Sequence, residues 1–347
     1  MSLRRMTLGL LIASALAAVG CGDDDGSTPT DGGSTPADSG MSESRVYVLN
    51  TLDVGQADPV GDPNIVPGFD LDMHNTTSMS DPMGCGFVDF TSGAPDNVMG
   101  VDNQLGPILA GIAGSVDVPG AIRDNINDGT VLILMEVTGI NSFMNDDSIT
   151  LNLYRGLLPP GVTMPMLGAD MLLSANQTFD LDRRSFLADG TTPLVSASGR
   201  IVNGRLQAGP TDFMLNVDVM SMPLSLNIRD SQIRFNITPM SGINTGILGG
   251  ALRVTEVVSA VAVFAPDLRM TIETILAGQA DLEPDGTGAC QAVSLGLIFA
   301  GVPATKGNTV MPITPDAGTP PPVDAGMPAT DAGGGGTDAG VAATDAG

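Results

Sequence analysis

Three stretches of period-two alternation between Val195 and Thr238 constrain this chain most. Phe213, Leu215, Val217 and Val219 alternate with Asp212, Met214, Asn216 and Asp218. Leu224, Leu226 and Ile228 alternate with Ser225, Asn227 and Arg229, and Ile233, Phe235 and Ile237 alternate with Arg234, Asn236 and Thr238. A period of two puts every second side chain on one face, so these stretches predict half-buried antiparallel strands. Asn203-Gly204 predicts a two-residue hairpin turn, and Asp230-Ser231 predicts a second tight turn. Upstream, Val131–Val137 reads as a strand apolar on both faces, and Ile149, Leu151 and Leu153 alternate with Thr150, Asn152 and Tyr154.

Helical signals are fewer. Asp102 is placed to cap a helix over residues 103–115, and Pro119–Asn127 reads as a short helix ending before Gly129. Residues 252–264 carry helical spacing on β-branched residues and fit either state; Leu268, Ile272, Ile275 and Leu276 mark an amphipathic helix ending at Gly278. The fold class these elements predict is mainly β: an antiparallel sandwich or an open curved sheet with a few short helices, flanked by disordered tails. No Pro/Ser-rich linker interrupts the middle, so residues 45–313 are expected to form one folded domain.

The ends differ in kind. Residues 1–20 hold Arg4-Arg5, then an apolar run from Met6 to Val19, shorter than the roughly 20 residues that span a bilayer. Gly20-Cys21 closes that run. This N-terminus resembles the lipobox of bacterial lipoproteins, in which the cysteine is acylated and becomes the new N-terminus; Ala18 stands where such sequences usually carry Leu. The resemblance implies a signal peptide over 1–20 and lipidation of Cys21. Gly22, rather than Asp, follows the cysteine, which resembles outer-membrane sorting. Residues 21–44 are acidic and nearly without aliphatic side chains, a disordered tether. Residues 314–347 repeat Asp-Ala-Gly from Asp316, Asp324, Asp331, Asp338 and Asp345 and read as a disordered tail. Lipobox, acidic tether and β-rich body together resemble uncharacterised surface lipoproteins of Gram-negative bacteria.

Charge narrows function. Lys+Arg number 14 against 39 Asp+Glu, a formal net charge of −25, and Lys306 is the one lysine. Nucleic acid is therefore excluded as a partner, because phosphate affinity comes from Lys and Arg. His74 is the single histidine and no Gly-x-Ser-x-Gly elbow occurs, so triad catalysis and zinc are poorly served and no enzyme is expected. No resident cofactor is expected either. Calcium is the one ligand ion the composition serves, since hard cations take carboxylate, amide and carbonyl oxygens. Two segments supply candidates: Asp89, Asp96, Asn97, Asp102 and Asn103 in a Gly/Pro-containing loop, whose plainer reading is turn and cap residues, and Asp281-x-Glu283-x-Asp285-Gly286, which resembles the start of an EF-hand loop but carries Ala292 at its twelfth position. Met214, Met220, Met222, Met240 and Met270 could line an apolar cavity or simply fill an aromatic-poor core. With Cys21 assigned to lipid, Cys85 and Cys290 are the remaining pair in an export route that permits disulfides.

These features favour a lipid-anchored, non-enzymatic protein of the outer membrane or cell surface, bound to the membrane by its acyl chains and binding an envelope protein or an apolar ligand. A calcium-stabilised adhesion or structural module is the alternative, and an envelope hydrolase the third. Replacing Cys21 by Ser is expected to move the protein from the membrane pellet to the soluble fraction in high salt, because a polyanion has no other strong membrane contact. A Cys21→Ser protein that still sediments with membranes refutes the lipobox.

Overall fold

The computed structural model describes residues 42–56, 62–81, 84–93, 96–112, 117–219, 222–264 and 266–310. The expected signal peptide, most of the tether, the Asp-Ala-Gly tail and Cys21 lie outside these residues, as does Met220. The chain opens with β1 (Glu43–Val54), followed by a long insertion with a small ribbon, β2 (Phe90–Thr91) and β3 (Met99–Val101), and helices α1 (Leu105–Ile112) and α2 (Val118–Asn127). Then come β4 (Ile133–Ile140), β5 (Asn145–Leu157), β6 (Gln177–Asp182), β7 (Val195–Val202), β8 (Arg205–Val219), β9 (Met222–Asn236) and β10 (Ile243–Arg253). Helices α3 (Val254–Phe264) and α4 (Arg269–Ala277) and the short β11 (Leu282–Pro284) lead into β12 (Cys290–Val310).

The chain is mainly β, but neither a sandwich nor an open curved sheet forms. Strands β1, β4, β5, β7, β8, β9, β10 and β12 pair antiparallel in that order, and β12 returns to pair with β1 from Tyr47↔Pro303 to Val54↔Leu297. The sheet closes into an eight-stranded barrel. Closure removes the two free edges a sandwich or an open sheet would have to protect. Alternation alone reports which face is buried and is silent on whether the sheet curls back on itself.

Inward-facing positions can be followed around the ring. Ile201 pairs with Leu206, Leu206 with Phe235, Phe235 with Gly246, Gly246 with Phe299 and Phe299 with Leu52. All but the glycine are at most 4 % exposed. Gly246 is required here: a Cβ would lie 2.2 Å from the Phe299 ring. Tyr47, Phe235 and Phe299 meet edge to face inside the barrel, at centroid distances of 6.2 and 6.1 Å. Side chains fill this interior, as an eight-stranded barrel can just accommodate.

Both faces of β4 are buried for two reasons. Met135 and Val137 point inward, whereas Leu134 and Glu136 lie on the outer face, which the last part of β12 covers. From Ala304 onward β12 leaves β1 and pairs parallel with β6, and Lys306 ion-pairs with Glu136, which also accepts the Tyr154 hydroxyl at 2.8 Å. Helix α2, capped by Asp117, touches both β1 and β8, which stand on opposite sides of the ring, and buries Ile122 and Ile126. It therefore lies across the barrel mouth at the far rim, opposite the rim where β1 enters.

Several local readings need correction. The tight turn at Asp230-Ser231 is instead an irregularity within one long strand, β9, with Asp230 at a φ of 49°, and β8 and β9 pair out to Val219↔Met222. Asn203-Gly204 does turn the chain, both residues at positive φ. Residues 254–264 are helical. Asp102 does not cap α1; Asn103 Oδ1 accepts the Gly106 N–H at 3.3 Å, while Asp102 is held by the neighbouring loop. Among the described residues the nominated methionines line no common cavity: Met240 and Met270 are 92 % and 79 % exposed and Met214 is half exposed, while the Met222 side chain is outside the described atoms.

Cys85 and Cys290 are joined, with their Cα atoms 6.0 Å apart, which ties the insertion to the start of β12 across 205 residues. Closing so long a loop is worth on the order of 5 kcal/mol at most in the chain-entropy model. Intact-mass analysis after denaturing alkylation without reductant is expected to show neither cysteine labelled. Two added alkyl groups on these residues refute the bridge.

Candidate functional site

The insertion between β1 and β4 gathers the ionisable side chains, and a buried amide seats it. Asn103 is fully buried and saturated: its Nδ2 donates to the Gly55 and Pro67 carbonyls at 2.7 and 2.9 Å, and its Oδ1 accepts the N–H groups of Gly296 and Gly106 at 3.0 and 3.3 Å. A Cβ at Gly296 would lie 2.3 Å from the Pro67 carbonyl oxygen, so the insertion reaches β12 only because that position is glycine. Phe69 packs in the same way against Gly249 of β10 and lies under the Arg234 guanidinium, 4.8 Å from it.

This seating brings Asp102, at the end of β3, beside residues 70–72. The Asp102 N–H donates to the Phe69 carbonyl at 2.8 Å, and its Oδ2 accepts the Leu71 N–H at 2.7 Å. Asp70, Asp72 and Asp102 then place carboxylate oxygens within 4.8 Å of one another. Asp102 is only 4 % exposed, and burial pushes its carboxyl up to about 9, with the charges of Asp281, Asp72 and Asp89 adding to the effect. Burial also raises Asp70, against the lowering effect of backbone hydrogen bonds from Met73 and His74 to its carboxyl, and its Oδ1 is enclosed with no hydrogen-bond partner among the described residues. Asp89 is raised to about 6 by burial although it accepts the Thr76 N–H at 2.6 Å. Buried Asp281 is raised to about 7 while holding the Ser294 N–H at 2.8 Å. His74 stands on the same loop with its Nε2 2.9 Å from Asp81, a hydrogen bond that raises its pKa.

Parts of both segments predicted from sequence thus converge, and parts do not. Asp89, Asp102 and Asp281 share one electrostatic neighbourhood. Asp96 is withdrawn from it: Arg205 holds it with both Nη atoms, Arg234 stands 3.1 Å away, and the Arg205 hydrogen bonds lower its pKa. Glu283 pairs with Arg253 at 2.7 Å. Asp285 is engaged in an exposed turn with Thr287 and Ala289. The EF-hand resemblance therefore fails, because residues 282–284 form β11 and Ala292 lies in β12 where that motif needs a helix. Asp70 and Asp72 went unnoticed in the sequence, although an Asp-x-Asp spacing was there to be seen.

Two unit charges about 4.8 Å apart repel by roughly 3–4 kcal/mol at an effective dielectric of about 20. None of the three clustered carboxylates has a cationic side chain in a salt bridge among the described residues. Two relieving species remain: a proton, or a hard cation. Calcium–oxygen distances of about 2.4 Å put ligands on opposite sides of one ion at most about 4.8 Å apart, so the spacing admits a shared ion. Comparison with protein-family models, curated proteins and solved structures finds no match to the chain.

Asp89, Asp281 and Asp102 bind their protons more tightly when folded than when unfolded. The folded state therefore holds more protons above about pH 4, and stability falls as pH rises, the loss completing near about 6, 7 and 9 respectively. Asp102 alone contributes a slope of about 1.4 kcal/mol per pH unit inside its window. In chelator, the urea midpoint is expected to fall between about pH 5 and pH 8, and Asp102→Asn to flatten that fall. An unchanged slope in the variant refutes the assignment.

Proposed function

We propose that this chain is a lipid-anchored, non-enzymatic protein of the outer membrane or cell surface of a Gram-negative bacterium, in which a side-chain-filled barrel carries a loop surface that recognises an envelope partner. A hard divalent cation, calcium by its donor set, holds that surface in shape. The carrying observation is the Asp70, Asp72 and Asp102 cluster, in which Asp70 Oδ1 is enclosed without a hydrogen-bond partner among the described residues. An oxygen-only set of this kind suits calcium and excludes the softer ions that prefer thiolate or imidazole. The packed interior supports recognition on the outside rather than inside the barrel, and the lone histidine supports a non-catalytic role. The disulfide supports an oxidising compartment. The lipobox resemblance supports the anchor and the location.

Calcium in excess over chelator is expected to raise the melting temperature, by an amount corresponding to about 2.7 kcal/mol when the ion is at 100 times its dissociation constant. Asp102→Asn is expected to remove the increment. An unchanged melting temperature on adding calcium to the wild-type protein refutes the cation reading.

A further inference from the structure

Across the ring from the carboxylates the barrel wall opens. Pairing of β7 with β8 stops at Gly199 and Ala208; Pro210, which has no N–H to offer a ladder, begins the stretch that leaves. From Thr211 to Val219 β8 pairs with β9 alone. At this seam, near the far rim, lies a cleft of about 280 Å³. Its floor is apolar and buried, formed by Val131, Leu153 and Phe213, each at most 7 % exposed, while Leu194 and Met214 stand at its edge 56 % and 50 % exposed.

One wall is cationic. Arg155 and Arg184 share a single carboxylate, Asp182, whose side chain is 1 % exposed. Arg184 takes it, through Nε to both oxygens and through Nη2 at 2.7 Å. Arg155 Nε is 3.8 Å from the same group, beyond hydrogen-bond reach, and its guanidinium makes no hydrogen bond among the described residues. Ser185 Oγ accepts the Arg155 backbone N–H at 2.9 Å, which leaves its own proton to donate. Two guanidinium groups on one carboxylate leave a net positive wall, and the Arg155 fork, ion-paired only at 3.8 Å, keeps its hydrogen-bond donors unused among the described residues, beside a buried apolar floor in a chain of net charge −25.

We propose that this cleft binds a small amphipathic carboxylate, its apolar tail on Val131, Leu153 and Phe213 and its head on Arg155 and the Ser185 hydroxyl. The guanidinium fork matches a carboxylate bidentately, and the floor rewards burial of hydrocarbon. At roughly 30 Å³ per heavy atom the volume holds a ligand of about ten heavy atoms. Such a ligand is an eight-carbon fatty acid or an aromatic acid of similar size. The site is distinct from the cation site and stands independently of it.

Octanoate at pH 7, titrated into the full chain carrying ¹³C-methyl methionine, tests this, with octanol as the neutral probe. Octanoate is expected to shift the Met214 methyl signal and leave that of exposed Met240 in place, and octanol to bind at least tenfold more weakly. Arg155→Gln, at a side chain 41 % exposed and without a hydrogen bond to lose, is expected to weaken octanoate at least tenfold and leave octanol unchanged. Leu194→Ser is expected to weaken both. Failure of octanoate to move Met214 overturns the site. Equal binding of octanoate and octanol, or an Arg155→Gln protein that binds octanoate undiminished, overturns the carboxylate assignment and leaves an apolar cleft only.

Discussion

The antiparallel pairing of β1 with β12 is the contact on which the rest of this structure depends. The other pairings of the ring follow the order of its strands along the chain, across connections that range from the Asn203-Gly204 turn to the insertion over residues 55–132. The β1–β12 pairing joins residues about 250 positions apart, and until it forms the sheet has two open edges and Tyr47, Leu52, Leu297 and Phe299 have no shared interior. Contacts of such sequence separation form late and at a high entropic cost. The disulfide between Cys85 and Cys290 acts on the same problem, since it ties the insertion that follows β1 to the first residue of β12.

The insertion and the barrel are fitted through backbone rather than side-chain bulk. Gly55, Gly249 and Gly296 let Pro67, Phe69 and Asn103 approach the outer wall closely, and Asn103 satisfies four backbone groups there. Such contact leaves little solvent around Asp102 and Asp281, which is why their charges are so poorly tolerated. The electrostatic character of the cluster is thus a result of how tightly the loop is seated, more than of how many acids the loop contains. Asp285, with the same side chain in an exposed turn, is lowered instead, chiefly by its hydrogen bonds to Thr287.

The strand content of β8 and β9 was legible because alternation reports one buried face directly, and the Asn203-Gly204 turn because its positive φ values select those residues. Strand β1 was hidden: Tyr47, Val48 and Leu49 are all buried, the first and third inside the barrel and the second beneath the covering layer outside, so no alternation survives. Closure was hidden for a different reason, as the inner face of a barrel and the inner face of a sandwich carry the same pattern. In the site, Asp89, Asp102 and Asp281 could be nominated from local spacing, whereas the diversion of Asp96 to Arg205 and Arg234 depends on residues more than 100 positions away. The Arg155 cleft leaves no sequence signal, because it exists only where two strands part.

The two rims of the barrel are unequal. The chain enters the ring at Glu43, paired with Ile140, on one rim. The cluster around Asp102 and the cleft beside Arg155 both lie toward the other, where β4 and β12 begin and β5 and β10 end. Strands of about eleven residues at the tilt usual for such barrels separate the rims by roughly 25–30 Å. The barrel thus has poles, and both chemical surfaces lie at the one opposite Glu43. Approach to the acids or the arginine is therefore from the pole opposite the one at which β1 begins.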